Sequence, residues 1–190
     1  MLFRSTADLS DPARIDWRAA GAVGEYDATE QVLVINRSQN GRAGVNVVTP
    51  LVLADGRAIA VTRGFLPLGV DAPPPPTGRV EVVGVLRATE VRRTGQPTEP
   101  PGRRSEFFRL DLPRLGGQLA QELLPLSLTA AASKPADDPA LEPVPLPELT
   151  EGPHLSYAIQ WIIFSVCVAV GWVLALRRSI RNRTRSAPSA

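Results

Sequence analysis

The sequence predicts a mainly β protein: a small antiparallel β-sheet or barrel-like domain with one short helix, followed by a C-terminal transmembrane helix. Three observations predict it. Short runs rich in Val, Ile and Leu recur between residues 31 and 87, separated by Asn-Gly, Asp-Gly and proline, as strands of an all-β domain are. Prolines then crowd residues 134–153. Beyond them, Leu155 to Leu176 form a run of 22 residues without Asp, Glu, Lys, Arg or His.

Residues 1–16 read as a polar approach, and 17–26 as a Gly-interrupted extended segment. QVLVIN (31–36) reads as a strand, and SQNGRAG (38–44) as a turn carrying the Asn40-Gly41 hairpin signature. VNVVTPLVL (45–53) is the next strand, with Pro50 implying an edge or a bulge because proline cannot donate to a ladder. Ala54-Asp55-Gly56 favours a tight type I′ turn into AIAVTRGFLP (58–67). APPPPT (72–77) is excluded from helix and inner strand and suits a polyproline II bridge.

RVEVVGVLR (79–87) sets Val80, Val82 and Leu86 against Glu81, Val83 and Val85, a strand with at least one buried face. A polar loop covers 88–105. FFRLDLPRL (107–115) leads into a short helix with Pro113 at its start and Leu115, Leu119 and Leu123 as its apolar stripe. LSLTAAA (126–132) is a last strand. The domain therefore spans 17–133, and six prolines make 134–153 an extended tether.

Residues 154–176 are the span. A 22-residue helix measures roughly 33 Å, slightly more than the ~30 Å hydrocarbon core of a bilayer. A buried helix of a soluble domain usually keeps a polar stripe, which this run lacks. Tyr157 and Trp161 near one end and Trp172 near the other suit the two interfaces. Five arginines follow (Arg177, Arg178, Arg181, Arg183 and Arg185), placing the basic tail, 177–190, in the cytoplasm by the positive-inside rule. The folded domain then lies outside, yet MLFRSTADLSDPARIDWR lacks the apolar core of a signal peptide. This conflict leads to the expectation of an apolar segment upstream, lost through a misplaced start codon or truncation, or else of a true single-span protein.

The global charge of +2 hides a split. Sixteen basic residues against 19 acidic ones leave the portion before the span at −3, while the tail carries +5. An acidic domain argues against a nucleic-acid partner. The single Cys, Cys167, excludes an internal disulfide. His154 is the only imidazole, so any Ser-His-Asp or Cys-His arrangement must use it. Thirteen residues separate it from Cys167, about 20 Å along a helix, too far for one metal. No phosphate loop, dinucleotide fingerprint, HExxH or CxxC is present. These absences predict a protein that is not an enzyme.

Four stretches carry a family resemblance: 31–50 (QVLVINRSQNGRAGVNVVTP), 63–67 (RGFLP), 81–87 (EVVGVLR) and 152–161 (GPHLSYAIQW). In this order they resemble the Surfeit-locus cytochrome c oxidase assembly proteins, in the manner of an actinobacterial-like member without its first transmembrane helix. The resemblance implies two helices flanking a β-rich domain outside the cytoplasmic membrane. It also implies a role in maturing haem-copper oxidases, tied to haem a insertion into the catalytic subunit. The partners implied are that subunit or a respiratory supercomplex, and the lipid membrane. The alternative of a different class is an accessory or structural subunit that docks on the oxidase without a cofactor.

The resemblance places a haem a ligand on His154. Neutral imidazole is a common axial ligand to haem iron, and His154, Tyr157, Ala158 and Trp161 share one helical face. The bland alternative is that these residues only contact head groups or the helix's free N–H groups. Gln160, Phe164, Cys167 and Gly171 form a second stripe, suited to helix–helix contact in lipid, or Gln160 is a tolerated interfacial amide. Arg37 and Arg63 are candidates for two-pronged bonds to haem propionates; the alternative is pairing with the domain's own acids or exposure to water.

Overall fold

Residues 79–88 show how the pattern becomes structure. In the computed structural model Val80, Val82 and Leu86 are buried while Arg79, Glu81 and Val83 are exposed, as the period of two in a strand requires, but the alternation ends at Gly84 and Val85, expected on the outward face, is buried too. The structure describes residues 12–146 and 154–185; the polar approach over 1–11, the tether over 147–153 and the last five tail residues lie outside them. The chain divides after Pro145 into a β domain and a unit holding the long helix.

In the β domain, α1 (Pro12–Ile15) precedes β1 (Ala19–Tyr26), a 3-10 turn (Ala28–Glu30), β2 (Val32–Gln39), β3 (Arg42–Leu53) and β4 (Ala58–Pro67). Then come β5 (Arg79–Ala88), β6 (Glu106–Phe107), α2 (Leu112–Gly116) and β7 (Leu123–Lys134). The pairing runs β1-β5-β7-β4-β3 and returns from β3 to β1, closing a five-stranded barrel; β2 and β6 extend it beyond β3. Most neighbours are antiparallel, as expected, but β4 pairs with β7 and β2 with β6 in parallel.

Local chemistry explains the turns. Asn40 and Gly41 both have positive φ, 52° and 75°, and Gln39 faces Arg42, so this is the two-residue hairpin that Asn-Gly favours. The Asp-Gly turn differs from expectation. Residues 54–57 all lie in the connection, only Gly56 has positive φ, and Asp55 accepts hydrogen bonds from the backbone and guanidinium of Arg57. Leu53 N–H still bonds the Arg57 carbonyl at 2.8 Å, so the loop is one residue wider than a two-residue turn.

Pro50 sits buried inside β3 where its neighbour changes: the β2 ladder ends at Val48 and the β1 ladder begins at Leu51. Its missing N–H is therefore placed where neither of those ladders calls for one. A bulge does occur nearby, but in β4: Val47 faces Gly64 and Val48 faces Thr62, leaving Arg63 as the extra residue.

The barrel interior is built from Leu51, Ile59, Val61, Val80, Val82, Leu86, Leu126 and Leu128, capped by Ile15 of α1. A second cluster outside it packs Val32, Val34, Val48 and Ala60 under Phe107, Leu112 and Leu115. Buried on both faces, β4 alternates between the two. The helix expected through Leu123 stops at Gly116: Asp111 caps α2 and Pro113 opens it as predicted, but Leu119 follows the helix and Leu123 begins β7. Pairing with Ala58 of β4 recruits Leu123 into the sheet, which overrides the helical spacing.

The first part of the Pro-rich segment is not a free tether. Leu141 is buried against Val47 and Leu66. Phe65 N–H donates to the Glu142 carbonyl at 2.7 Å, and Glu142 N–H returns a bond at 2.9 Å. Gly64 permits this approach, because a Cβ there would lie 2.9 Å from the Glu142 carbonyl oxygen.

The second unit is α3 (His154–Arg185), 32 residues long. Its Leu155–Ser179 stretch is long and apolar enough to cross a membrane.

Candidate functional site

Arg63 lies on β4 among residues buried on both faces, so its charge must be matched locally or not at all. Its side chain has no exposed surface. Nε donates to Asp137 Oδ2 at 2.9 Å and one terminal nitrogen to Asp137 Oδ1 at 2.5 Å, a two-pronged pair. The remaining donors reach Gln31 Oε1 at 2.7 Å and the carbonyls of Pro73 and Pro74 at 2.9 and 3.0 Å. All five guanidinium N–H groups are thereby engaged.

The ring of Tyr26 lies under the same guanidinium, 5.7 Å from its centroid. Burial pushes the Tyr26 phenol well above its ordinary range, the Asp137 carboxylate adding to the rise and Arg63 opposing it. One residue thus fastens together β1, β4, the chain before β2, the polyproline bridge and the segment after β7. The propionate role considered for Arg63 finds no free donor here; the alternative, pairing with an acid of the domain, is what the structure contains. Asp137 is 74 positions away, and no sequence spacing indicates it.

Arg37 follows a bulge in β2, where Val34 faces Asn46 and Arg37 faces Gly44. Asn36 inside it has φ 59°. Such bulges re-aim side chains, and Arg37 reaches Glu90 with bonds of 2.8 and 2.6 Å. Glu90 also accepts from Leu110 N–H at 3.0 Å. This pair is only part-buried, with 28% of the Arg37 side chain exposed.

Another arrangement was invisible in the sequence. Trp17 has φ 68° and lies beneath Arg87, whose guanidinium is 3.5 Å from the ring centroid; Asp16 binds the Arg87 side chain and the Ala88 N–H.

On α3 the backbone of His154 forms the first helical residue, and its side chain lies outside the described set. Tyr157 and Trp161 follow at the third and seventh positions and are 58% and 68% exposed. Gln160, Phe164, Cys167 and Gly171 share the helix as the expected second stripe, all exposed, and among the described residues nothing beyond the helix's own backbone lies within 4 Å of the position a Gly171 Cβ would take. The two faces touch through Trp161 and Phe164, whose rings meet edge to face with centroids 6.1 Å apart.

Residues 3–166 match the SURF1 family, from before β1 into α3. The chain is 28% identical over 174 residues to an uncharacterised SURF1-like protein of Mycobacterium tuberculosis, covering 89% of this chain and 63% of that one. It is 27% identical over 192 residues to a SURF1-like protein of Monosiga brevicollis, covering 92% and 72%. Surfeit locus protein 1 of Takifugu rubripes is 28% identical over 123 residues, covering 54% and 51%. The chain thus spans less than two thirds of the length of its mycobacterial relatives. With the matched stretch including every strand of the barrel and the start of the apolar helix, the chain belongs to the SURF1 family.

Proposed function

We propose that this protein is a membrane-anchored assembly factor for a haem-copper cytochrome c oxidase and assists haem a insertion into the catalytic subunit. In this reading α3 crosses the cytoplasmic membrane, the β domain stands on the extracytoplasmic face, and the arginine-rich end is cytoplasmic. The observation that carries it is the family match, which continues through the barrel into α3 instead of ending with the soluble domain. Family membership supplies the oxidase-assembly context; the helix supplies the anchor.

The residues at the start of α3 fit haem a in donor chemistry. When bound, the group would supply an iron that an imidazole can ligate and a long apolar tail compatible with lipid. His154 is the ligand in this reading, and Tyr157 and Trp161, three and seven residues further along the helix, have exposed rings that offer flat apolar faces. The β domain's Arg63 does not fit a propionate, since its donors are used internally. No catalytic residue is assigned.

The test is haem a titration of the purified protein in detergent, with His154→Ala alongside. The expected result is a haem absorbance band that the variant loses; an unchanged band would remove His154 from the role. A second reading, an accessory subunit without a cofactor, is favoured by the internal engagement of Arg63. It predicts no haem a band together with stoichiometric co-purification with the mature oxidase.

A further inference from the structure

We propose that the turn after β4, Leu68-Gly69-Val70, is a lipid-contacting tip of the β domain, setting two aliphatic side chains among the head groups of the membrane that α3 anchors in. Five large apolar side chains of the described β domain are exposed: Trp17, Leu68, Val70, Val83 and Val91. Two of them occupy this three-residue turn, where Leu68 is 67% and Val70 48% exposed. Single exposed apolar residues need no explanation, but two within one three-residue turn invite one.

The turn is held in place. Gly69 adopts φ 85°, Leu68 N–H donates to the Ala43 carbonyl at 3.2 Å, and Ala72 packs on the cluster of Val47, Leu66 and Leu141. A backbone fastened at both ends can present the two side chains without having to order them on contact.

Lipid is the occupant that the chain's own connectivity favours. The segment that runs on toward the membrane helix is bonded to Phe65, three residues before the turn, through Glu142. From Pro145 to Leu155 the chain advances ten residues, a reach of at most about 35 Å. The edge that carries the turn is therefore the one from which the chain runs on to α3. Asn40 and Arg42 of the neighbouring hairpin supply polar groups suited to head groups, although Arg42 is paired with Glu142. With the Asp71 carboxylate next to the turn giving anionic lipid no attraction, the contact rests on the apolar side chains of Leu68 and Val70, so it should resist salt and should not require anionic lipid.

This inference rests on the membrane-anchor part of the proposed function, and the test separates them. In the full chain with Cys167→Ser, a small nitrobenzoxadiazole probe is attached at Leu68→Cys, Val70→Cys, Val91→Cys or Val166→Cys. Each protein is reconstituted in phosphatidylcholine nanodiscs, then quenched by spin-labelled lipid or aqueous iodide. The expected result is several-fold stronger lipid quenching at 68 and 70 than at 91, unchanged in high salt, with 166 quenched by lipid throughout. Quenching at 68 and 70 equal to that at 91 would overturn the tip while 166 upholds the anchor. Protection of 68 and 70 from both quenchers would mean a protein contact and also overturn it. Loss of lipid quenching at 166 would overturn the anchor and the tip together.

Discussion

Leu51, Val61 and Leu128 in the barrel have no exposed surface, whereas Trp161, Ile162 and Val168 in α3 are 68%, 63% and 71% exposed. Both sets are apolar, so the hydrophobic effect acts on both, but only the barrel satisfies it with its own atoms. In the barrel even a cation can be buried, because the fold brings five acceptors to Arg63. On α3 the apolar side chains need lipid or another protein around them, and a cation near the middle of the run would have neither partner nor water. Stability is a property of the sequence alone in one region, and of sequence plus surroundings in the other.

The largest expected effect breaks the barrel's side of this contrast. Arg63→Ala leaves Asp137 without its two-pronged partner and should cost roughly 3–5 kcal/mol, read as a lowered denaturant midpoint of the β domain with little change in membrane extraction. The reciprocal experiment is Val166→Arg. It should penalise insertion of α3 by about 2.5–3.5 kcal/mol, measured as the fraction integrated in a membrane-insertion assay, while leaving the β domain's denaturant midpoint in place. If both variants acted on both readouts, the two regions would not be separable.

A smaller effect sharpens what self-sufficiency requires. A Cβ at Gly84 would collide with the Thr129 carbonyl, beside the irregularity in the β5–β7 pairing. Gly84→Ala should therefore cost about 1–3 kcal/mol, seen as a fall in melting temperature. The smallest effect belongs to the surface. Hydrogen bonds from Arg57 hold the Asp55 carboxyl below its ordinary value of 3.8. Because the folded value is the lower one, the stabilisation is present above pH 3.8 and fades as the pH falls through the folded value. Both groups are fully exposed, so solvent screens the pair. The melting-temperature gap between Asp55→Asn and the parent chain should be small at neutral pH and close in acid.

The strands were legible because their information is local. The residues 58–67 read as a strand are β4 itself, and Asn40-Gly41 gave the hairpin its turn. Where a remote partner decides, local reading falls short. Leu119 and Leu123 match a helical stripe, yet β7 takes Leu123 because Ala58 of β4, far back in the chain, pairs with it. Arg63 was legible as a residue of interest but its acceptors were not, since they come from segments 10 to 74 positions away. Proline content suggested a loose segment over 134–153, while Asp137, Leu141 and Glu142 bind that segment's first part to the domain. On α3 the apolar run was plain from composition, and the aromatic spacing followed from helical geometry.

The position of β7 also bears on synthesis of the chain. Among the described residues it is the last strand to be made, yet it lies between β5 and β4 rather than at a margin. A ribosome that stalled or terminated before Leu123 would release a sheet with two bare borders and their unmet N–H and C=O groups, a template for association with other chains. Premature termination within this stretch should thus yield aggregates rather than a shortened but soluble domain.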